Sequence, residues 1–123
     1  MKFNIVYIDD EHENLRAFAS VFRRDYNIYT TDSPSEGLGY LQNNVAHLII
    51  TDQRMPEMKG VEFLKQVYEF LPEKPPYRII LSAYSKTAHI DEALEKEWAS
   101  VYMSKPWDPE EMKMKIETAL REY

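Results

Sequence analysis

The run His47-Leu48-Ile49-Ile50-Thr51-Asp52 constrains the chain most, together with the turn Gln53-Arg54-Met55-Pro56-Glu57-Met58-Lys59-Gly60 behind it. A short, continuous apolar run that is followed by helix-period residues predicts a strand buried on both faces of a parallel sheet. Asp52 then stands at the carboxyl end of a central strand. Open α/β sheets bind their ligands just outside that end.

The remaining segments repeat this pattern. Phe3-Asn4-Ile5-Val6-Tyr7-Ile8 reads as a first strand ending on Asp9-Asp10-Glu11, and Leu15, Phe18, Ala19 and Phe22 give an amphipathic helix after it. Tyr26 to Thr31 alternates weakly and is placed at a sheet edge. Ser33-Pro34-Ser35-Glu36 is a helix start with Ser as N-cap and Glu bonding back, although Gly37 and Gly39 make the helix a poor one. Val61, Leu64, Val67, Tyr68 and Leu71 form the next helical stripe, stopped by Pro72, Pro75 and Pro76. Arg78-Ile79-Ile80-Leu81 is a fourth strand running into Ser82-Ala83-Tyr84-Ser85. The helix after it has only Ile90, Ala93 and Leu94 as an apolar face. Ser100-Val101-Tyr102-Met103 is a fifth strand, ended by Ser104-Lys105-Pro106-Trp107. Asp108-Pro109-Glu110-Glu111 repeats the capping pattern with Trp107 and Met112 as a hydrophobic staple, and Ile116, Ala119 and Leu120 continue the last helix.

Strict alternation of strand and helix predicts a doubly wound parallel sheet with helices on both faces and right-handed crossovers. Periodicity does not give the strand order. With 123 residues the chain is expected to be one domain, residues 1–123, and 44% hydrophobic residues suffice for its core. Cysteine is absent, which excludes thiolate catalysis, zinc–thiolate sites and disulfides. A net charge of −6 argues against nucleic-acid binding by this chain alone. The segment before Asp9 is too short for a signal-peptide core, and no apolar run reaches membrane-spanning length, so a cytoplasmic location is expected.

In this layout Asp9, Asp10, Asp52, Ser82 and Lys105 all sit at carboxyl ends of strands and share one rim. Two carboxylates about 4 Å apart repel by roughly 4 kcal/mol at an effective dielectric near 20. Three together require a cation or take up protons. Hard oxygen ligands with open positions suit Mg²⁺. A lysine ammonium and a hydroxyl beside an accessible carboxylate complete a set suited to phosphoryl transfer, in which a carboxylate can be the nucleophile. His12, His47 and His89 are expected to have no ligand role, since Mg²⁺ prefers oxygen.

These motifs, in order, resemble the response-regulator receiver domain of two-component signalling. The likeness rests on Asp9-Asp10, Asp52 with Met55-Pro56, Met58 and Gly60, Ser82-Ala83, Tyr102 and Lys105-Pro106, and it runs from Lys2 through the last helix. It implies a flavodoxin-like five-stranded sheet of order 2-1-3-4-5. It implies that Asp52 accepts the phosphoryl group, with Lys105 pairing with one phosphoryl oxygen through a cis bond to Pro106 and Ser82 bonding another. Asp9, Asp10, Asp52 and the Arg54 carbonyl would hold Mg²⁺, with Mn²⁺ or Ca²⁺ as substitutes. Ser82 and Tyr102 would form the switch. The expected partners are a sensor histidine kinase or phosphotransfer protein and a downstream target reading the face of the fourth helix, fifth strand and fifth helix; no membrane and no direct nucleic acid is expected. Arg54 and Tyr84, both large, are expected to overhang the site and slow hydrolysis of the acyl phosphate, while Ala83 leaves room for it.

Two other functions fit parts of the pattern. A metal-dependent phosphatase with an aspartyl nucleophile usually carries its nucleophile on the first strand with a second Asp two residues on, unlike Asp9-Asp10. An interaction-only module of the same type would lack the acceptor, the lysine or the acid pair. The phosphorylation-controlled switch, a signalling protein rather than a dedicated enzyme, accounts for all of these residues.

Overall fold

The computed structural model describes residues 2–71, 75–83 and 86–122. Pro72, Tyr84, Ser85 and Tyr123 therefore lie outside the described residues. The elements alternate as β1 (Asn4–Ile8), α1 (His12–Phe22), β2 (Asn27–Thr31), α2 (Pro34–Asn43) and β3 (Leu48–Asp52), followed by α3 (Gly60–Phe70), β4 (Tyr77–Ser82), α4 (Ala88–Glu95), β5 (Val101–Ser104) and α5 (Pro109–Glu122). The sheet is parallel throughout, in the order β2-β1-β3-β4-β5. This is the flavodoxin-like order, with β3 in the centre and the weakly patterned β2 at an edge.

Strand alternation divides the core between the two sheet faces. Ile5, Tyr7, Leu48, Ile50, Ile79 and Leu81 point to one side, where α1 supplies Leu15, Phe18 and Phe22 and α5 supplies Met112, Ile116 and Ala119. Val6, Ile8, Ile49 and Ile80 point to the other, against Leu41 of α2, Val61, Phe63, Leu64 and Val67 of α3, and Ile90 and Ala93 of α4. The α3 stripe is wider than predicted: Phe63 is fully buried, whereas Tyr68 is only partly so.

Local signals are mostly realised, with instructive departures. Ser33 caps α2 by accepting from Glu36 N at 3.2 Å. The expected return bond from Glu36 does not form, because the Thr31 hydroxyl takes Ser33 N and Glu36 accepts from the Tyr29 hydroxyl at 2.8 Å. Asp108 caps α5 by accepting from Glu110 N and Glu111 N, at 3.0 and 3.1 Å. Trp107 shares the apolar cluster of Met112, but its ring also meets α1, 5.9 Å from Phe18 and 6.2 Å from Phe22.

Gly37, one of the two glycines that weaken α2, and Gly60 of the β3–α3 turn both stand in close packing, whereas Gly39 faces open space. A Cβ on Gly37 would come within 2.9 Å of Ile8 Cδ1, and one on Gly60 within 2.4 Å of the Asp52 carbonyl oxygen. Gly60 lets the first turn of α3 close directly against the end of β3.

Candidate functional site: an acid cluster and a lysine at the strand ends

Register brings β1, β3 and β4 to the same rim: Ile8 pairs with Thr51, and Asp52 pairs with Leu81. The next residues, Asp9 and Ser82, therefore flank Asp52. Asp9 is fully buried and heavily bonded, accepting from the Tyr7 hydroxyl at 3.0 Å, Glu11 N at 2.9 Å and Asn14 Nδ2 at 3.2 Å. Such satisfaction is what a buried carboxylate needs. Asp52 is also buried, whereas Asp10 is exposed at the entrance.

Lys105 follows β5, and its bond to Pro106 is cis. Its ammonium lies 3.0 Å from Asp9, 3.2 Å from Asp52 and 3.6 Å from Glu11. Burial works against the ammonium, but hydrogen bonding to Asp9 and the charges of Asp9 and Asp52 outweigh it and raise its pKa. For Asp52 the balance falls the other way. Burial pushes its carboxyl up, Lys105 opposes this, and the nearby Asp9 and Asp10 add to the rise. One lysine does not neutralise the cluster. Tyr7 is driven far up by burial and then by Asp9, so its hydroxyl remains a donor.

Asp9, Asp10, Glu11 and Asp52 each offer a ligand oxygen, and these atoms lie within 4.8 Å of one another. Four carboxylates against one ammonium form an electron-rich, all-oxygen set suited to a hard divalent cation. Glu11 was missed by sequence reasoning, although its place beside Asp10 was a usable signal. His12 instead pairs with Asp32 at 2.6 Å.

The other expected residues are distributed around this centre. Ser82 is buried at the end of β4, Ala83 is exposed, and Arg54 is exposed in the β3–α3 loop. Tyr102 is half-buried on β5 and packs against the cluster that includes α4. Tyr84, expected to overhang the site with Arg54, falls outside the described residues. Gln53 was also missed. Its Oε1 accepts from Val61 N at 2.9 Å, and its backbone carbonyl accepts from Gly60 N at 3.0 Å, tying the acceptor turn to α3. No sequence spacing announces a side-chain cap from eight residues away.

Fold and site together define a flavodoxin-like α/β domain with a cation-ready acid cluster and a lysine at its strand ends. Comparison with known proteins gives the family. Residues 5–117 match the family model of the response regulator receiver domain, and the chain belongs to that family. It is 33% identical over 119 residues to the hydrogenase transcriptional regulatory protein HoxA of Bradyrhizobium diazoefficiens, covering 97% of this chain and 24% of the relative. It is 30% identical over 118 residues to the transcriptional regulatory protein ZraR of Escherichia coli, covering 95% and 26%. The chain thus spans about a quarter of the length of these relatives. A CheY-like receiver domain from Methanospirillum hungatei superposes with a TM-score of 0.90 at 23% identity, over 99% of this chain and 96% of the other, a likeness of fold. The chain is thus a response regulator receiver domain, a signalling module. Receiver domains typically bind Mg²⁺ at such an acidic pocket and interact with histidine kinases or phosphotransfer proteins. Among the described residues no helix is long and apolar enough to cross a membrane.

Proposed function

We infer that Asp52 accepts a phosphoryl group from the phosphohistidine of a sensor kinase or phosphotransfer protein. The observation that carries this reading is the Lys105 ammonium held between Asp52 and Asp9 inside a four-carboxylate cluster. An Asp52 carboxylate oxygen attacks phosphorus in line. An O–P bond forms, the P–N bond to imidazole breaks, and the electron pair stays on the imidazole nitrogen, which takes a proton. Lys105 compensates charge on one phosphoryl oxygen as it shifts from the carboxylates, and the Ser82 hydroxyl donates to another. Asp9, Asp10, Asp52 and the Arg54 carbonyl would hold Mg²⁺, which when bound supplies further neutralisation of the phosphoryl oxygens.

The output follows from where Ser82 sits. Drawing its hydroxyl toward Asp52 moves the β4–α4 connection, and half-buried Tyr102 turns inward beside it. The α4–β5–α5 face then presents a different surface to a downstream partner or output domain. Arg54 overhangs the acceptor and slows attack by water, so Arg54→Ala shortens the acyl-phosphate lifetime.

The test uses the chain with Mg²⁺ and acetyl phosphate, followed by intact-mass measurement beside a folded Asp52→Ala variant. The expected result is one added phosphoryl group on wild type and none on the variant. No gain by wild type, or equal gain by both, overturns the assignment.

A further inference from the structure

We propose that Arg78 is a positioning residue of the switch: its guanidinium fastens the C-terminal turn of α4 to the foot of β4, so that the helix answers phosphorylation as a lever hinged at that end. Arg78, Ile80 and Ser82 alternate along β4 and share one face of the sheet. Ile80 lies in the core cluster of Ile90 and Ala93 of α4. Between the parallel strands β4 and β5 the helix must run back across the sheet. One row of β4 therefore has Arg78 under the tail of α4 and Ser82 at the strand end that leads to its head.

Arg78 is buried, and among the described residues its guanidinium has no carboxylate partner. Its donors go to main-chain carbonyls instead: Nε to Trp98 at 2.8 Å, Nη2 to Glu97 at 2.9 Å, and Nη1 to Pro76. A buried charge needs such bonds, and carbonyls at a helix C-terminus supply partial negative charge. The guanidinium also lies over the Tyr68 ring of α3, 5.2 Å from its centroid.

The turn held in this way is a strained one. Trp98 N donates to Ala93 O at 2.8 Å and Glu97 N to Leu94 O at 3.2 Å, a paired helix closure that ordinarily has glycine at its left-handed position. Here that position is Glu97, at φ 64°. A side chain is unfavourable there, and Arg78 holds both the carbonyl of Glu97 and the next one in place. Ser100 adds to the clamp, its N donating to Arg78 O at 2.7 Å and its hydroxyl accepting from Arg78 N at 3.0 Å. The head of α4 is held more weakly. Thr87 accepts from Ile90 N at 3.3 Å, and Lys86 pairs with Asp91 at the exposed surface, where ion pairs contribute little.

The lever rests on the phosphorylation of Asp52 proposed above. Drawing Ser82 inward pulls on the head of α4 while Arg78 retains the tail. The helix then swings about Trp98 instead of sliding, and the Trp98 corner is the same in both states.

The chain has no cysteine, so pairs of spin labels can be introduced without removing any native residue. Ser20→Cys on α1 is the reference, paired with His89→Cys at the head of α4 or Glu95→Cys at its tail, all at exposed positions. Electron-spin distances are measured in the full chain with Mg²⁺, before and after addition of beryllofluoride as a stable mimic of the acyl phosphate. The distance to position 89 should change and the distance to position 95 should not. Equal displacement of both, or a larger one at 95, overturns the lever. In Arg78→Met the tail should move as well, and the amides of Lys96, Glu97 and Trp98 should exchange with solvent roughly tenfold faster or more. Arg78→Lys keeps the charge but cannot bridge three carbonyls, so it should show the same acceleration and keeps the test readable if Arg78→Met does not fold. Unchanged exchange in these variants overturns the role of Arg78. Glu97→Gly relieves the left-handed residue and should restore slow exchange to either variant, whereas Glu97→Gln removes the same charge without freeing the backbone and should not. Rescue by both or by neither overturns the clamp. If acetyl phosphate adds no mass to wild type and beryllofluoride moves neither label pair, the acceptor assignment and the lever both fall, while faster exchange in the Arg78 variants still supports the clamp.

Discussion

The two loops flanking Asp52 are built to opposite specifications. After β5, Lys105 is pinned on two buried carboxylates, Trp107 lies against Phe18 and Phe22, and Asp108 caps two amides of α5. The 14-residue helix that follows buries Met112, Ile116 and Ala119 completely. After β4, Ala83 is exposed and Thr87 caps a single amide, Ile90 N. Its helix, α4, has eight residues and only Ile90 and Ala93 are buried. The C-terminal end of α4 is better held, because the buried Arg78 donates to the carbonyls of Glu97, Trp98 and Pro76. One side of the acceptor is thus a fixed electrostatic wall. The other is a short helix, held at its far end by Arg78 and burying only two of its side chains, and such an element can change its population at little cost.

The sharpest way to break this comparison is to remove the packing behind the fixed wall. Phe18→Ala should destabilise the protein by about 3–5 kcal/mol in denaturant unfolding, because Phe18 is fully buried against Tyr7, Phe22 and Trp107. A loss below about 1 kcal/mol would mean that the aromatic cluster does not support the Lys105 side.

Next comes the pair of glycine substitutions. Gly60→Ala forces a methyl onto the Asp52 carbonyl and should cost about 1–3 kcal/mol while disturbing the site. Gly39→Ala meets nothing within 4 Å and should stabilise by up to about 1 kcal/mol. Equal effects on melting temperature would contradict this contrast.

The two caps then compare the loops directly. Asp108→Ala should lower global stability by about 1 kcal/mol. Thr87→Ala should appear mainly as faster amide exchange in α4, with a smaller global effect, since α4 can open locally. Similar exchange rates in α4 and α5 of wild type would remove the distinction.

The smallest effect separates the charges. The folded-state pKa of Asp52 is raised, so its contribution to stability is fully present below its ordinary value of 3.8 and is lost as pH rises through the raised value. Ionised Asp52 therefore opposes folding at neutral pH. Asp52→Asn should raise stability there, and the gain should fade on acidification toward pH 4, as read by denaturant unfolding across pH. Lys105 has the opposite consequence. Its raised pKa gives stability present below its ordinary 10.5 and lost as pH rises through the folded value.

Much of this was legible in the amino-acid order because the signals are local. Leu48-Ile49-Ile50 must be buried on both faces wherever it goes, and Ser33 and Asp108 announce their helices through neighbouring amides. Asp9, Asp10, Asp52, Ser82 and Lys105 were found because each ends a predicted strand, and parallel strands put those ends on one rim. Glu11 was overlooked because exposed acids at helix starts are common. Gln53 and Phe63 carried no comparable mark. The return bond from Glu36 failed because Thr31 and Tyr29, on a neighbouring strand, offered better-placed partners.

The sequence by itself determined the alternation, the rim to which the polar groups belong and, through the order of motifs, the family. Tertiary structure alone decided how these groups balance. Lys105 is 53 positions from Asp52 in sequence (105 − 52), yet the fold sets its ammonium 3.2 Å away. Burial then tips the carboxyl upward despite that neighbour, because desolvation and the repulsion from Asp9 depend on distances in space. The same holds for Gly60, whose missing side chain has meaning only beside the Asp52 carbonyl. Local chemistry is written along the chain, whereas electrostatics and close packing arise only when the strands meet.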